Sequence, residues 1–421
     1  MQFAASPRQL LLALSSLAIA VVSTTSLANA GPHPSTSIDT TNPGNTALAS
    51  SAAPSAPPPT APLAITGVPQ PPTLPAQRSY VLMDARTGAV IAAKSPNLPW
   101  PPASLAKLMT AYLTYQALAD GTLKMNQTVP ISDAAWHTGG SRMFIAPNMS
   151  VTVNQLLHGL IIDSGNDAAV ALAQAVAGNR QAFVGMMNAE AAKLHLTRTH
   201  YTDVDGLPNP ALRTTAMDVA KLSRAIIEKY PRYLRISVEK HYTFDKIRQR
   251  NWNPVLFHDP TVDGLKTGRT DAAGHCIDAT ALRNGRRLIA VVLGGPSWAV
   301  STNDIEALLD YGYRFYTDLP VTTPGKIVGS MPALNYRIQS VPVAEAQAVV
   351  VTIPVLEAKD IKTTVSYDPP LKNGIVKGAQ VGTVTVSGGG KILATVPAIA
   401  EINDPPAGFI TRTLRRLHKW L

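Results

Sequence analysis

Ser104 and Lys107 stand three residues apart in a stretch where Leu105, Leu108, Met109, Tyr112 and Leu113 recur at helical spacing. Pro101-Pro102 before them and Gly121 after them bracket a helix over 104–119. On such a helix positions i and i+3 share one face, a turn apart. A serine hydroxyl is a poor nucleophile until a neighbouring base takes its proton. A lysine amine can be that base if burial or a second cation keeps it neutral. The spacing alone equally describes a helix-capping serine and a solvated lysine. The decision rests on what the remaining elements bring to the pair.

Those elements begin with a β-hairpin, 80–84 and 89–92, around Arg86-Thr87-Gly88. Thr152 caps a helix bearing Leu156, Leu157, Leu160 and Ile161 on one side, broken at Ser164-Gly165-Asn166. Asp167 starts an Ala-rich helix ended by Gly178, apolar nearly all round and so buried. Helices follow over 180–194 and 215–229, the second with Thr215 as N-cap and Asp218 at N3. After 262–268 comes a strand over 275–282. The Asn284-Gly285 turn returns it as 288–293, and Ser301 opens a helix to Phe315. Strands at both ends with helices between them predict an α+β fold. Its antiparallel sheet joins its first and last strands and carries helices on both faces.

The rest of the chain sets the context. Arg8, the mostly apolar run 10–22 and Ala28-Asn29-Ala30 read as a secretory signal over 1–30, with a retained membrane anchor as the other reading. Residues 31–77 are rich in Pro, Ser, Thr and Ala and read as a spacer, so folded sequence is expected from Arg78 to 319. Residues 320–405 have strand-like runs at 349–353 and 380–386, a small β-sandwich serving as spacer or as a glycan- or partner-binding module. In the last segment, 406–421, Ile410, Leu414, Leu417 and Leu421 fall on one helical face. Phe409 and Trp420 flank that face, and Arg412, Arg415, Arg416 and Lys419 cover the remainder. That is an amphipathic helix suited to an anionic membrane surface, or one packed on its own domain. The net charge of +10 favours an acidic partner, yet no P-loop, RNA-binding aromatic motif or zinc finger points to nucleic acid. The single cysteine, Cys276, excludes an internal disulfide and a Cys-based metal cluster. None of the nine histidines has metal-ligand spacing.

Ser104-Leu105-Ala106-Lys107, Ser164-Gly165-Asn166 and Lys266-Thr267-Gly268 resemble, in order and separation, the S-x-x-K, S-x-N and K-T-G set of penicillin-recognising serine enzymes. The Ser-Gly-Asn form and Asp263-Gly264-Leu265 before the lysine are similar to those of D-alanyl-D-alanine carboxypeptidases among low-molecular-mass penicillin-binding proteins. So are 140–144 and 270–274. The resemblance implies the serine β-lactamase/DD-peptidase-like fold and an acyl-enzyme on Ser104, with no metal or cofactor. By the resemblance Lys107 is the base, Ser164 a proton relay to the leaving amine, and Asn166 orients substrate. Lys266, Thr267 and Gly268 border the terminal carboxylate. His275 is expected to supply an oxyanion N–H beside that of Ser104. Peptidoglycan stem peptides are the implied substrates, β-lactam antibiotics covalent inhibitors, and the outer face of the inner membrane, in the periplasm, the implied place.

Several positions depart from the resemblance. Arg269 follows K-T-G where a histidine is frequent. Trp252 falls where the preceding loop usually carries arginine, and Gly294-Gly295 is followed by Pro296 rather than arginine. Arg269 is therefore a candidate partner for the carboxylate, with Arg248 and Arg250 as competitors or solvated loop residues. If the strand begins at Lys266, alternation puts Arg269 on the face opposite Lys266, and a kink after Gly268 would be needed to bring it round. An endopeptidase remains open, as does a non-catalytic wall-binding protein. A β-lactamase would need a deacylating Glu in an E-x-x-L-N loop, which 166–266 lacks.

Overall fold

The computed structural model describes residues 68–417 except 334, 339 and 369–373. The expected signal, most of the spacer, and Lys419, Trp420 and Leu421 lie outside the described residues. The folded part begins ten residues earlier than the expected Arg78. Leu74 is buried, Tyr311 donates to the Pro69 carbonyl at 2.9 Å, and Lys94 Nζ donates to the Gln77 carbonyl at 2.7 Å. Proline has no N–H to satisfy, so a Pro-rich strap can pack through its carbonyls alone.

The first strands are β1 (Ser79–Asp84) and β2 (Val90–Lys94). The Asp84 carboxylate closes their turn by accepting from Arg86 N and Thr87 N. The expected single helix from Ser104 is instead a 3₁₀ turn, Ala103–Ala106, followed by α1 (Lys107–Ala119). The helical lobe continues with β3 (Thr128–Val129), α2 (Asp133–Trp136), β4 (Val151–Thr152), α3 (Val153–Ile161), α4 (Asn166–Ala177), α5 (Arg180–Lys193), α6 (Ala216–Lys229) and α7 (Arg232–Ser237). Thr152 and Gln155 form a capping box on α3, and Thr215 Oγ1 accepts from Asp218 N to cap α6. The stretch holding Arg248 and Arg250 is a hairpin rather than a loop, β5 (His241–Phe244) with β6 (Ile247–Arg250).

Three long strands close the domain: β7 (Val262–Thr270), β8 (Gly274–Arg283) and β9 (Arg286–Gly295). Asn284 and Gly285 both have positive φ, 51° and 78°, as the tight β8–β9 turn requires. The sheet order is β2-β1-β9-β8-β7, all antiparallel, so the first strand does meet the last. After Arg286 and Arg287, strand β9 is apolar without a break because both its faces are covered. Leu288, Ala290 and Val292 pack in one core with α8 (Trp298–Phe315), while Ile289, Val291 and Leu293 join the core of the helical lobe. Helix α8 is capped by Ser297, four residues before the expected Ser301, which is buried inside it.

The second domain starts at once after α8 with β10 (Tyr316–Thr322), slightly ahead of the expected boundary. It comprises β11 (Ile327–Pro332), β12 (Ser340–Glu345), β13 (Val349–Pro354), β14 (Lys362–Tyr367), β15 (Gln380–Gly388) and β16 (Lys391–Ala400). A five-stranded sheet, β11-β12-β16-β15-β14, accompanies the pair β10-β13, and α9 (Phe409–Leu417) follows. Arg286 ties the domains by pairing with Asp84 at 3.0 Å and Asp318 at 3.2 Å.

Asp278 on β8 is fully buried. Ser223 Oγ donates to one carboxylate oxygen at 2.6 Å and the other has no partner among the described residues. Burial pushes this carboxyl up to about 8. An acid whose folded pKa is raised stabilises the fold below its unfolded pKa near 4, and that contribution is lost as pH climbs toward about 8. Asn keeps the volume and the acceptor for Ser223. The melting temperature of Asp278→Asn relative to the parent should therefore rise steadily from about pH 4 and level off near pH 8. A difference independent of pH would reject the buried-charge account.

Candidate active site

The 3₁₀ turn holds Ser104 where the helical lobe meets the free edge of β7. Two glycines make this approach possible. A Cβ on Gly268 would lie 2.8 Å from the Pro102 carbonyl and 3.0 Å from Ser104 N. A Cβ on Gly206, at φ 89°, would lie 1.9 Å from the Ala103 carbonyl. Ala103 and Ser164 also take positive φ, 48° and 58°, which is costly for L-residues.

Lys107 opens α1 and is 1% exposed. Its Nζ lies 2.9 Å from Ser104 Oγ, 2.6 Å from Asn166 Oδ1 and 2.5 Å from the Asp205 carbonyl. Two of these three partners can only accept. A neutral amine has two N–H groups for those two and one lone pair, which then faces the serine hydroxyl. Burial pushes Lys107 down to about 8, against the pull of Asp205, Asp203 and Asp167.

The break between α3 and α4 presents the second set. Ser164 Oγ lies 3.0 Å from Lys266 Nζ, which also donates to the Thr267 carbonyl at 3.0 Å. Burial first, and then the nearby Lys107, hold Lys266 well below its usual range. Asn166 bridges, its Nδ2 donating to the Gly139 carbonyl at 2.6 Å while its Oδ1 receives Lys107. Asp167, in the first turn of α4, accepts from Met143 N, Phe144 N and Ile145 N at 2.9–3.2 Å. It thereby pins loop 139–145, from which Ser141 Oγ donates to the Ser164 carbonyl at 2.6 Å.

Three groups that spacing did not single out belong here. One is Asp205, whose carbonyl receives Lys107. Another is Asp167, for which an acid at a helix N-terminus directly after the motif was the available signal. The third is Asp163, 1% exposed, neither carboxylate oxygen with a partner among the described residues, pushed up to about 7 by burial and then by Asp167, with Lys266 opposing.

The cleft in front of Ser104 has a volume of about 270 Å³ and is lined by Ser141, Ser164, Trp252, Thr267, Gly268, Arg269 and Trp298. Larger hollows beside 68–75 hold none of the three motifs. Strand β7 does not kink after Gly268. The register continues through Arg269 opposite His275 and Thr270 opposite Gly274, and Arg269 reaches the cleft on the side of Thr267. Arg248 and Arg250 do not line it, and Arg250 stacks over Phe257 at 3.8 Å.

His275 is a correction. It sits on β8, behind β7 as seen from Ser104, with its ring 4.8 Å from that of Trp298, and it does not line the cleft. The free edge of β7 is the nearer source of an N–H. The Leu265 carbonyl accepts from Tyr233 Oη and the Thr267 carbonyl from Lys266 Nζ, so neither points at β8. In an antiparallel strand the residues two apart share an edge, which puts the Arg269 N–H on the Ser104 side.

Comparison with known proteins gives the family. Residues 66–297 match the family described as D-alanyl-D-alanine carboxypeptidase, and residues 316–404 the C-terminal domain of penicillin-binding protein 5. The chain is 37% identical to D-alanyl-D-alanine carboxypeptidase DacC of Escherichia coli K12, over 82% of this chain and 89% of that relative. DacA of the same organism is 35% identical over 85% and 90%. The solved penicillin-binding protein 5 of Haemophilus influenzae superposes with a TM-score of 0.73 at 32% identity, covering 80% of this chain and 99% of that one. The ordered triple of motifs, assembled around one desolvated lysine on this two-domain fold, belongs to a member of the D-alanyl-D-alanine carboxypeptidase family.

Proposed function

We propose that the protein is a serine D-alanyl-D-alanine carboxypeptidase that removes the terminal D-alanine from peptidoglycan stem peptides through an acyl-enzyme on Ser104, the residue that β-lactams also acylate. The observation that carries the reading is the Lys107 amine, 2.9 Å from Ser104 Oγ and otherwise bonded only to acceptor oxygens. Ser104 attacks the penultimate carbonyl as Lys107 takes its proton. The backbone N–H groups of Ser104 and Arg269 receive the oxyanion. Ser164, polarised by Lys266, passes a proton to the departing D-alanine amine, and water then cleaves the ester. Asn166 orients the peptide, while Thr267 and Arg269 hold the terminal carboxylate, with Lys266 contributing charge. Family membership and the solved relatives support the same reaction.

The Ser104→Ala variant should lose both labelling by a fluorescent penicillin and D-alanine release. In the parent, acylation should speed up as pH rises through about 8, where Lys107 gives up its proton. Residual labelling of the variant would overturn the nucleophile, and an acylation rate that falls across that range would overturn the base.

The Arg269 side chain is half exposed and, among the described residues, its ion-pair partner is the fully exposed Asp271 at 3.3 Å. A carboxylate in the cleft can replace that weak partner. Arg269→Ala should lower kcat/KM by about 1.5–3 kcal/mol for a peptide acid, as for a hydrogen bond to a charged group, and far less for its C-terminal amide. Equal losses on acid and amide would exclude the assignment.

We also propose that the protein is exported and sits on the outer face of the inner membrane through its last helix. On α9, Phe409, Ile410 and Leu414 are 77%, 74% and 62% exposed, an apolar face left open to a bilayer. Arg415 donates to the carbonyls of Tyr336 and Arg337, which holds the helix against its domain on the other side. Removing residues 408–421 should abolish binding to anionic phospholipid vesicles while turnover of a soluble peptide persists. Salt should weaken the parent's binding only in part, since apolar and ionic contributions are separate. Undiminished vesicle binding by the truncated protein would reject the anchor.

A further inference from the structure

The cleft does not end at Arg269. Trp252 and Trp298 line it and also line a second hollow of about 450 Å³ that continues away from Ser104. The polar side chains around that hollow are engaged elsewhere. Gln249 Nε2 donates to the Arg142 carbonyl at 3.0 Å, and Arg250 lies flat on Phe257. Asn251 Nδ2 donates to the Ser237 and Glu239 carbonyls, while its Oδ1 accepts from Asn253 N. What an occupant meets is the two indoles and Pro254. Trp252 is 49% exposed, an uncommon degree of solvation for that side chain beside a reactive centre. A third hollow near Ser104, bounded by Ala103, Leu207 and Leu212, shares no lining residue with the cleft.

We propose that the hollow walled by Trp252, Pro254 and Trp298 is a subsite for the side chain of the substrate's C-terminal D-residue, and that the protein releases large apolar D-residues as well as D-alanine. The inference rests on the placement of the terminal carboxylate at Thr267 and Arg269. The side chain of that residue leaves the same Cα as its carboxylate, so it must exit beside those two groups, where the tryptophans open the way. A methyl group would leave most of the hollow empty, whereas a leucine or phenylalanine side chain would cover both indoles and remove apolar surface from water. The reaction is unchanged. The Ser104 Oγ–C bond forms, the C–N bond to the D-residue breaks, its amine leaves with the proton, and water then cleaves the ester.

The test uses the purified full-length protein and diacetyl-L-Lys-D-Ala-D-Xaa peptides with Xaa as Ala, Leu or Phe, following release of the free D-residue. The parent should turn over the D-Leu and D-Phe peptides with kcat/KM equal to or above that for D-Ala. In Trp252→Ala the ratio of D-Phe to D-Ala kcat/KM should fall about tenfold, the usual scale for a lost apolar pocket wall, and Trp252→Phe should keep most of it. Acylation by benzylpenicillin verifies in each variant that the Ser104 site is formed. A parent that rejects D-Leu and D-Phe by more than about tenfold, or an unchanged ratio in Trp252→Ala, would overturn the subsite. A parent that neither releases D-alanine nor is acylated would instead overturn the function on which the subsite rests.

Discussion

The structure depends on keeping an amine out of water beside a hydroxyl. An ammonium buried without compensation is costly enough that the group gives up its proton instead. Lys107 is placed so that this proton loss is useful. Its two remaining N–H groups find the Asn166 and Asp205 oxygens, and its lone pair faces Ser104. Lys266 adds a second buried amine, held well below its usual range by burial and then by the nearby Lys107. Acids oppose both shifts, Asp163 at Lys266 and Asp205, Asp203 and Asp167 at Lys107, so the balance of charge is set by groups that little water screens.

That balance is only as good as the positions that enforce it. Ser104, Asn166 and Lys266 come from a 3₁₀ turn, a helix N-terminus and a sheet edge, so the site exists only where these surfaces touch. Gly206 and Gly268 allow the contact because any Cβ there would strike the Ser104 turn. Asp167 then fixes the facing loop with three backbone N–H groups, using a carboxylate that the N-terminus of α4 favours. The large cores on either side of the sheet hold these surfaces in register, with alternate residues of β9 committed to each.

The second domain contributes no residue to the cleft lining. It is tied in through Arg286, whose guanidinium reaches Asp84 in the first β-turn and Asp318 in β10. A charge held by one fully buried and one largely buried carboxylate is more restrictive than an exposed pair, which fits a rigid mount more than a swinging one. The apolar face of α9 lies at the end of this mount.

Much of this was legible in the amino-acid order. The 3.6-residue spacing of apolar side chains placed α1 and α3, end signals placed α4 and α6, Asn284-Gly285 placed the central hairpin, and the three motifs named the polar groups that meet. These features are local, and local periodicity and turn chemistry are written residue by residue. What failed was of another kind. Ser104 lies in a 3₁₀ turn that begins at Ala103 with positive φ and is packed closely by Gly206 and Gly268, a set of contacts that no window of sequence contains. The oxyanion N–H was expected from His275 on the following strand because the source depends on which edge of β7 is free, a property of sheet order. Residues 68–77 read as spacer by composition, yet their carbonyls find Lys94 and Tyr311. The pairing of Trp252 with Trp298 across one cleft likewise arises from elements forty-six positions apart. The sequence by itself determined which chemical groups are available and the local segments that carry them. Only the tertiary structure decided their distances, their burial and hence their protonation, because desolvation is a property of the surroundings rather than of the residue.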